Sequence, residues 1–251
     1  MSKVRRSKQM NIPYQNMEIE QIYTQLLSHP NTAIAICAAE ENEGVTSLAF
    51  ALAQRNLLAG HSTLLVDLNL YKPSLNSILS IDETEKDIAL LSQQQLLGSP
   101  KLVSSEHNNI VINGIVAPQK RDNIMKLRQP GALEKCIEQW LQVFDTVIID
   151  TSPLNRVNAN NIPPERVAAA CDGAVLITLA GRTPEAALLS AVEKLKNNNA
   201  TLLGCVFNDR DNPTLKDELI RETKRLDPRL AWLSRPLRKL ISKNRLLSLE
   251  V

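Results

Sequence analysis

Residues 33–67 constrain this chain more than any other stretch, because they read as strand, loop, helix and strand in that order. The run Ala33-Ile34-Ala35-Ile36-Cys37-Ala38 is too short for a helix and fits a buried strand. A polar loop, Glu40-Glu41-Asn42-Glu43-Gly44, follows it. Val45-Thr46-Ser47 then opens an Ala- and Leu-rich run that lasts to Gly60. A second apolar run, residues 62–66, ends in Asp67. A strand, a polar loop, a helix and a parallel strand make the unit that binds phosphate in nucleotide-binding α/β domains.

The loop stands in register with the phosphate-binding consensus G-x-x-x-x-G-K-[ST]. Gly44 and Thr46 match it, Ala39 replaces the first glycine, and Val45 replaces the lysine. That lysine brings a positive charge to the β- and γ-phosphates, which valine cannot supply. Glu40, Glu41 and Glu43 add negative charge where a polyanion would lie. If a nucleotide is held here, Glu43, Gly44, Val45, Thr46 and Ser47 form its cradle.

The rest of the chain continues the alternation. Residues 17–28 carry a helical apolar stripe, Ile19, Ile22, Tyr23, Leu26 and Leu27. Residues 68–80 lead into a short helix, and 82–105, rich in Gln, Ser and Leu, carry no clear pattern. A strand is expected at 109–116 and buried strands at 146–150, 173–179 and 201–207, with helices following Gly131 and spanning 184–196. This predicts an α/β fold with a doubly wound, mostly parallel sheet. A chain of 251 residues with net charge +2 fits one large domain, and its overall charge points to no partner class. The cysteines Cys37, Cys136, Cys171 and Cys205 lie in apolar segments without C-x-x-C spacing, so they read as buried hydrophobes in a reducing compartment. With no apolar run of membrane-spanning length and no signal peptide at residues 1–6, the expected location is cytoplasmic.

Two strands close on acids. Asp67 opens Asp67-Leu68-Asn69-Leu70-Tyr71-Lys72-Pro73-Ser74-Leu75, and Asp150 opens Asp150-Thr151-Ser152-Pro153. Ligands in such sheets bind beyond the carboxyl ends of the strands. In a working nucleoside triphosphatase, Asp67 and Asp150 are the catalytic acids, and with Thr46 they would hold Mg²⁺. Equally, each acid can serve only to cap a strand end.

These segments resemble the cytoplasmic kinase domain of bacterial tyrosine kinases of capsular and exopolysaccharide synthesis, relatives of the partition and division-site ATPases. The resemblance covers residues 17–209. It is carried by the loop 38–44, the segment 64–75 with its D-x-x-x-x-[KR]-P-S-L pattern, and the strand at 147–153. Ala180-Gly181-Arg182-Thr183-Pro184 and Val206-Phe207-Asn208 also match. It implies a P-loop NTPase-like three-layer sandwich, ATP or ADP with Mg²⁺ as ligand, Lys72 and Asn208 as further nucleotide contacts, and membrane-bound polysaccharide synthesis or export proteins as partners. Nucleic acid is not an expected partner.

Four parts of the family's kinase are missing. The loop lysine is Val45, and the second acid of the D-x-D segment is Asn69. The E-x-x-R-x-x-R oligomerisation motif falls on Met17, Glu20 and Tyr23. The tyrosines are Tyr14, Tyr23 and Tyr71, with none in the tail where the family carries a cluster. Removing one preorganised charge costs about a hundred- to a thousandfold in rate. The expectation is a catalytically impaired member acting as regulator or scaffold, with Asp67 and Asp150 vestigial. A functional ATPase or tyrosine kinase, with Lys72 as substitute cation, is the alternative. A partition-type nucleic-acid protein is the third.

The expected organisation is a loose arm at residues 1–16, the domain at 17–226 and a basic amphipathic helical tail at 227–251. Within the tail Leu230, Leu233, Leu237, Leu240 and Ile241 share a face beside six basic residues between 229 and 245. That segment either contacts an anionic membrane at the inner face of the cell or a partner, or packs on the domain itself.

Overall fold

The computed structural model describes residues 13–27, 30–73, 75, 97–98, 100–105, 108–156 and 158–210, with 219–220, 223, 236–237 and 239–242 beyond them. The chain divides into two compact units, residues 1–179 with 183–208, and residues 180–182 with 209–251.

The first unit holds a seven-stranded sheet, built from β1 (Thr32–Ala38), β2 (Thr63–Leu68), β3 (Lys101–Ser105), β4 (Asn108–Ile115), β5 (Thr146–Thr151), β6 (Gly173–Leu179) and β7 (Leu202–Asn208). Their order across the sheet is β3-β4-β2-β5-β1-β6-β7, with β3 antiparallel to β4 and every other pair parallel. The helices are α1 (Met17–Leu26), α2 (Val45–Leu58), α3 (Arg121–Leu127), α4 (Ala132–Leu141), α5 (Pro164–Ala170) and α6 (Glu185–Asn197). The doubly wound, mostly parallel α/β sheet expected from the sequence is the fold observed.

Alternation along the strands sends successive side chains to opposite faces. On one face Ile34, Ile36, Leu65, Ile148, Val175 and Ile177 pack with α1 and α2. On the other, Ala33, Ala35, Cys37, Val147, Ile149 and Leu176 pack with α4, α5 and α6. The size match is complementary. The bulky isoleucines of β1 share their core with Ala49, Ala51 and Ala53 of α2. The small residues of β1 share theirs with Leu133, Ile137 and Trp140 of α4. Alternating large and small residues in this way fills the interlayer space without voids.

Two expectations fail at β7. Among the described residues it is an edge strand paired on one side, and it is not buried as β1 and β5 are. Phe207 is 71% exposed, and Cys205 is exposed as well, whereas Cys37 is buried and Cys136 and Cys171 are half-buried. A strand covered by one neighbour cannot bury its residues as a central strand does.

Residues 1–12, 76–96, 211–218, 221–222 and 224–235 lie outside the described residues, and with them most of the expected arm and the expected boundary at 226–227. In the second unit, residues 236–237 and 239–242 are helical. Ile241 is buried, while Leu237 and Leu240 of the same expected stripe are exposed. Leu230, Leu233 and most of the basic segment lie outside the described residues.

Candidate functional site

The loop between β1 and α2 lies at the carboxyl end of the central strands, with the ends of β2, β5, β6 and β7 around it. Asn42 and Gly44 take positive φ, 63° and 109°, which bends the chain sharply into α2. Gly44 is required twice over. Its backbone sits where side chains are strained, and a Cβ there would lie 2.6 Å from Asn208 Nδ2. Asn208 in turn donates to the Glu43 carbonyl at 2.8 Å.

Val45 begins α2 at 9% exposure and belongs to the core shared by α2 and the sheet. The position that a lysine would use to reach a phosphate is therefore part of the hydrophobic interior. Thr46 donates its hydroxyl to Asp150 Oδ2 at 2.5 Å. Ser47 follows in the first turn and is half-buried.

Asp67 and Asp150 are direct neighbours in the parallel pairing of β2 with β5, and both are buried. Asp67 accepts the Asn69 N–H at 2.9 Å and the Leu75 N–H at 3.1 Å. Asn69 builds a turn, its carboxamide oxygen accepting the Lys72 N–H at 3.1 Å. The Lys72 ammonium reaches the loop and donates to Asn42 Oδ1 at 3.0 Å.

Several residues that sequence reasoning did not single out as site residues hold the same loop. Arg156 donates to Glu40 at 2.9 Å, and this bond holds the guanidinium more firmly protonated. Thr183, just before α6, donates to Glu43. The chain after β5 continues alongside the loop, with the Leu154 N–H to Ala38 O at 2.9 Å and the Asn155 N–H to Ala39 O at 3.1 Å. Lys194 and Ser190 of α6 fix Asn155 through its side-chain oxygen. One signal for Arg156 was available: a basic residue just beyond the carboxyl end of a central strand. The buried Cys37 thiol, two residues before the loop, is pushed up to about 12 by burial, so it is no nucleophile.

Tested against Mg²⁺ and a nucleotide, the loop fits in part. Thr46, Asp67 and Asp150 are oxygen donors of the kind Mg²⁺ takes, and Mg²⁺ needs only one or two protein carboxylates beside phosphate oxygens. Among the described residues no group of three or more His, Cys, Asp or Glu forms a metal cage. The phosphate cradle fits less well, since its cation is absent from α2 and Glu43 lies in the loop.

The chain is 32% identical over 190 residues to the tyrosine-protein kinase CpsD of Streptococcus agalactiae, covering 71% of this chain and 75% of that one. The chain belongs to the bacterial tyrosine-kinase family. A second relative in this family's company is the succinoglycan biosynthesis transport protein ExoP of Rhizobium meliloti. It is 25% identical over 187 residues, which are 74% of this chain and 23% of ExoP. The kinase domain of the Escherichia coli tyrosine kinase ETK shares the fold with a TM-score of 0.59 at 13% identity, over 85% of this chain and 87% of that domain. No family model matches the chain. The P-loop NTPase-like fold expected from the sequence is thereby established.

Within this bacterial tyrosine-kinase fold, the positions of the expected oligomerisation motif are engaged internally. Arg55 of α2 pairs with Glu20 at 2.5 Å and 2.7 Å, and its guanidinium lies 4.2 Å from the Tyr23 ring centre. Glu20 and Tyr23 stand where the family motif has its two arginines. Among the described residues no helix is long and apolar enough to cross a membrane.

Proposed function

We propose that this chain is a catalytically silent bacterial tyrosine-kinase fold that regulates or scaffolds the synthesis or export of an extracellular polysaccharide. The observation that carries the first half is the burial of Val45 in the core beneath α2. A lysine there would be the loop's phosphate cation; a buried valine offers no charge and no donor. Asn69 compounds the loss, because its carboxamide serves a turn and cannot take a proton as a carboxylate can. Phosphoryl transfer depends almost wholly on positioning and charge, so losing two such groups removes most of the rate. Support for the pathway is the similarity to a succinoglycan biosynthesis transport protein. The partners under this reading are membrane-bound synthesis or export proteins, with the basic segment 229–245 as the docking element at the inner face of the membrane.

The test is ATP turnover by the purified chain beside the double variant Val45→Lys with Asn69→Asp. The parent is expected at background. Turnover by the parent at the level of an active family member assayed alongside overturns the reading.

One observation favours a second reading, an active ATP-binding enzyme of the same pathway. The Lys72 ammonium is already at the loop, 3.0 Å from Asn42 Oδ1. Under that reading parent turnover is measurable and Lys72→Ala abolishes it. No turnover in either protein leaves the first reading standing.

A further inference from the structure

The two edges of the sheet are built differently. At one edge β3 opens with an exposed lysine, Lys101, and its pairing with β4 slips at Ser104 and Ser105. A lysine and an irregular ladder are common means of keeping an edge strand from pairing with another chain. At the other edge β7 reads Leu202-Leu203-Gly204-Cys205-Val206-Phe207-Asn208, with no charge and no proline. Its one irregularity lies near its start, where the register against β6 shifts and the Leu203 side chain covers Gly173. From Gly204 to Asn208 the strand pairs regularly with residues 175–179, and among the described residues no strand lies on its outer side.

The side chains repeat the contrast. Cys205 and Phe207 stand beside Leu176 and Thr178, on the sheet face that packs with α4, α5 and α6, yet both are exposed, and Leu203 is 45% exposed. An open, uncharged, apolar edge is a template for a further strand, since main-chain groups supply the hydrogen bonds and the side chains supply contact area. Charge points to what that strand is. A copy of β7 can lie against β7 without opposing like charges. Antiparallel pairing brings the exposed Asp209, just after the strand, to the turn before the copy's β7. There Lys196 is exposed, and its carbonyl accepts the Asn199 N–H at 3.0 Å. Parallel pairing would instead set Asp209 beside Asp209 and Lys196 beside Lys196. Arg210, next to Asp209, is engaged within its own chain.

We propose that β7 is a self-docking edge, through which two copies of this chain join antiparallel and continue one sheet across a two-fold axis. An axis normal to the sheet keeps each face on its own side, so every residue meets one of the same face. Full overlap of the strand Leu202–Asn208 with its copy puts the axis at the middle residue, Cys205. Cys205 then lies opposite Cys205 of the copy, at a Cα separation of about 4.5–5.5 Å. Gly204 lies opposite the copy's Val206, and Leu203 approaches the copy's Phe207, so the exposed apolar side chains of each strand are covered by those of the other. The interface is separate from α1, where Arg55 holds Glu20 and Tyr23. It is independent of whether the loop turns over ATP.

The experiment is light scattering of the full chain over a micromolar concentration series, with cross-linking by a short bismaleimide. The parent is expected to approach twice the chain mass of 27.9 kDa as concentration rises. The reagent is expected to join two chains, and mass spectrometry of the joined peptides to find Cys205 linked to Cys205. Cys205→Lys sets two ammonium groups against each other at the axis. It is expected to keep the parent's circular dichroism and to weaken the dimer about tenfold or more. Cys205→Ser is expected to lose the cross-link and keep the dimer. A parent that stays monomeric throughout the series overturns the proposal. So does a dimer whose dissociation constant a folded Cys205→Lys protein leaves unchanged. If that variant does not fold, the parent's cross-link decides, and a dimer without the Cys205 pair overturns the proposal.

Discussion

Asp145 lies at the turn before β5 and fastens three strand starts together. Its carboxylate accepts the Ser62 N–H and the Ser62 hydroxyl, each at 2.8 Å, and its carbonyl accepts the Asn31 N–H at 2.6 Å and the Thr32 N–H at 3.2 Å. The hydrogen bonds from Ser62 hold the Asp145 carboxyl below the usual carboxylate range. A depressed folded value means the stabilisation is present above the unfolded value and is lost as pH falls through the folded one. Asp145→Asn is therefore expected to flatten the fall in stability that the parent shows below about pH 4. Urea titrations of both proteins across that range check it, and parallel curves would contradict the assignment. At this scale the sequence showed Gly44, Val45, Thr46 and Asn69, because a motif in register exposes a missing residue directly. It did not show what Thr183 and Arg156 do. Their partners Glu43 and Glu40 lie 140 and 116 residues away, and a local pattern has no access to such contacts.

Among the elements, α4 shows how a short helix earns its place. Leu133, Ile137 and Trp140 are buried at spacings of four and three, forming one stripe against the sheet. Ile137→Ala is expected to cost about 2–4 kcal/mol, because the cavity opens in a core whose β1 residues are too small to fill it. Denaturant unfolding measures this directly; a loss near zero would mean the stripe is not packed as described. Strands β1, β2, β5 and β6 were legible as uniform apolar runs, and β4 and β7 as shorter ones. Three elements were not. Helices α3 and α5 have seven residues each, two turns, too few to show a period. Strand β3, Lys-Leu-Val-Ser-Ser, is polar at both ends and antiparallel at the sheet edge, so it lacks the apolar run of a buried strand. The exposure of β7 was not legible either, since strand composition does not reveal which strand ends the sheet.

For the whole molecule, strand order decides what can fold alone. The first two strands in the chain, β1 and β2, are not neighbours; both pair with β5, which lies between them. A fragment ending at residue 145 is thus expected to lack cooperative unfolding by circular dichroism, although it contains four of the seven strands. A cooperative melt by that fragment would show that the sheet does not depend on its central strand. The same order sets a timetable for the growing chain on the ribosome. β1 is complete at residue 38, yet its first partner is complete only at residue 151. At ordinary synthesis rates of about 5–20 residues per second that interval is on the order of ten seconds. Throughout it, two strongly apolar strands have finished emerging or begun to emerge without the neighbour that covers their edges. This protein is accordingly expected to depend on nascent-chain chaperones for its soluble yield more than a fold whose first two strands pair with each other.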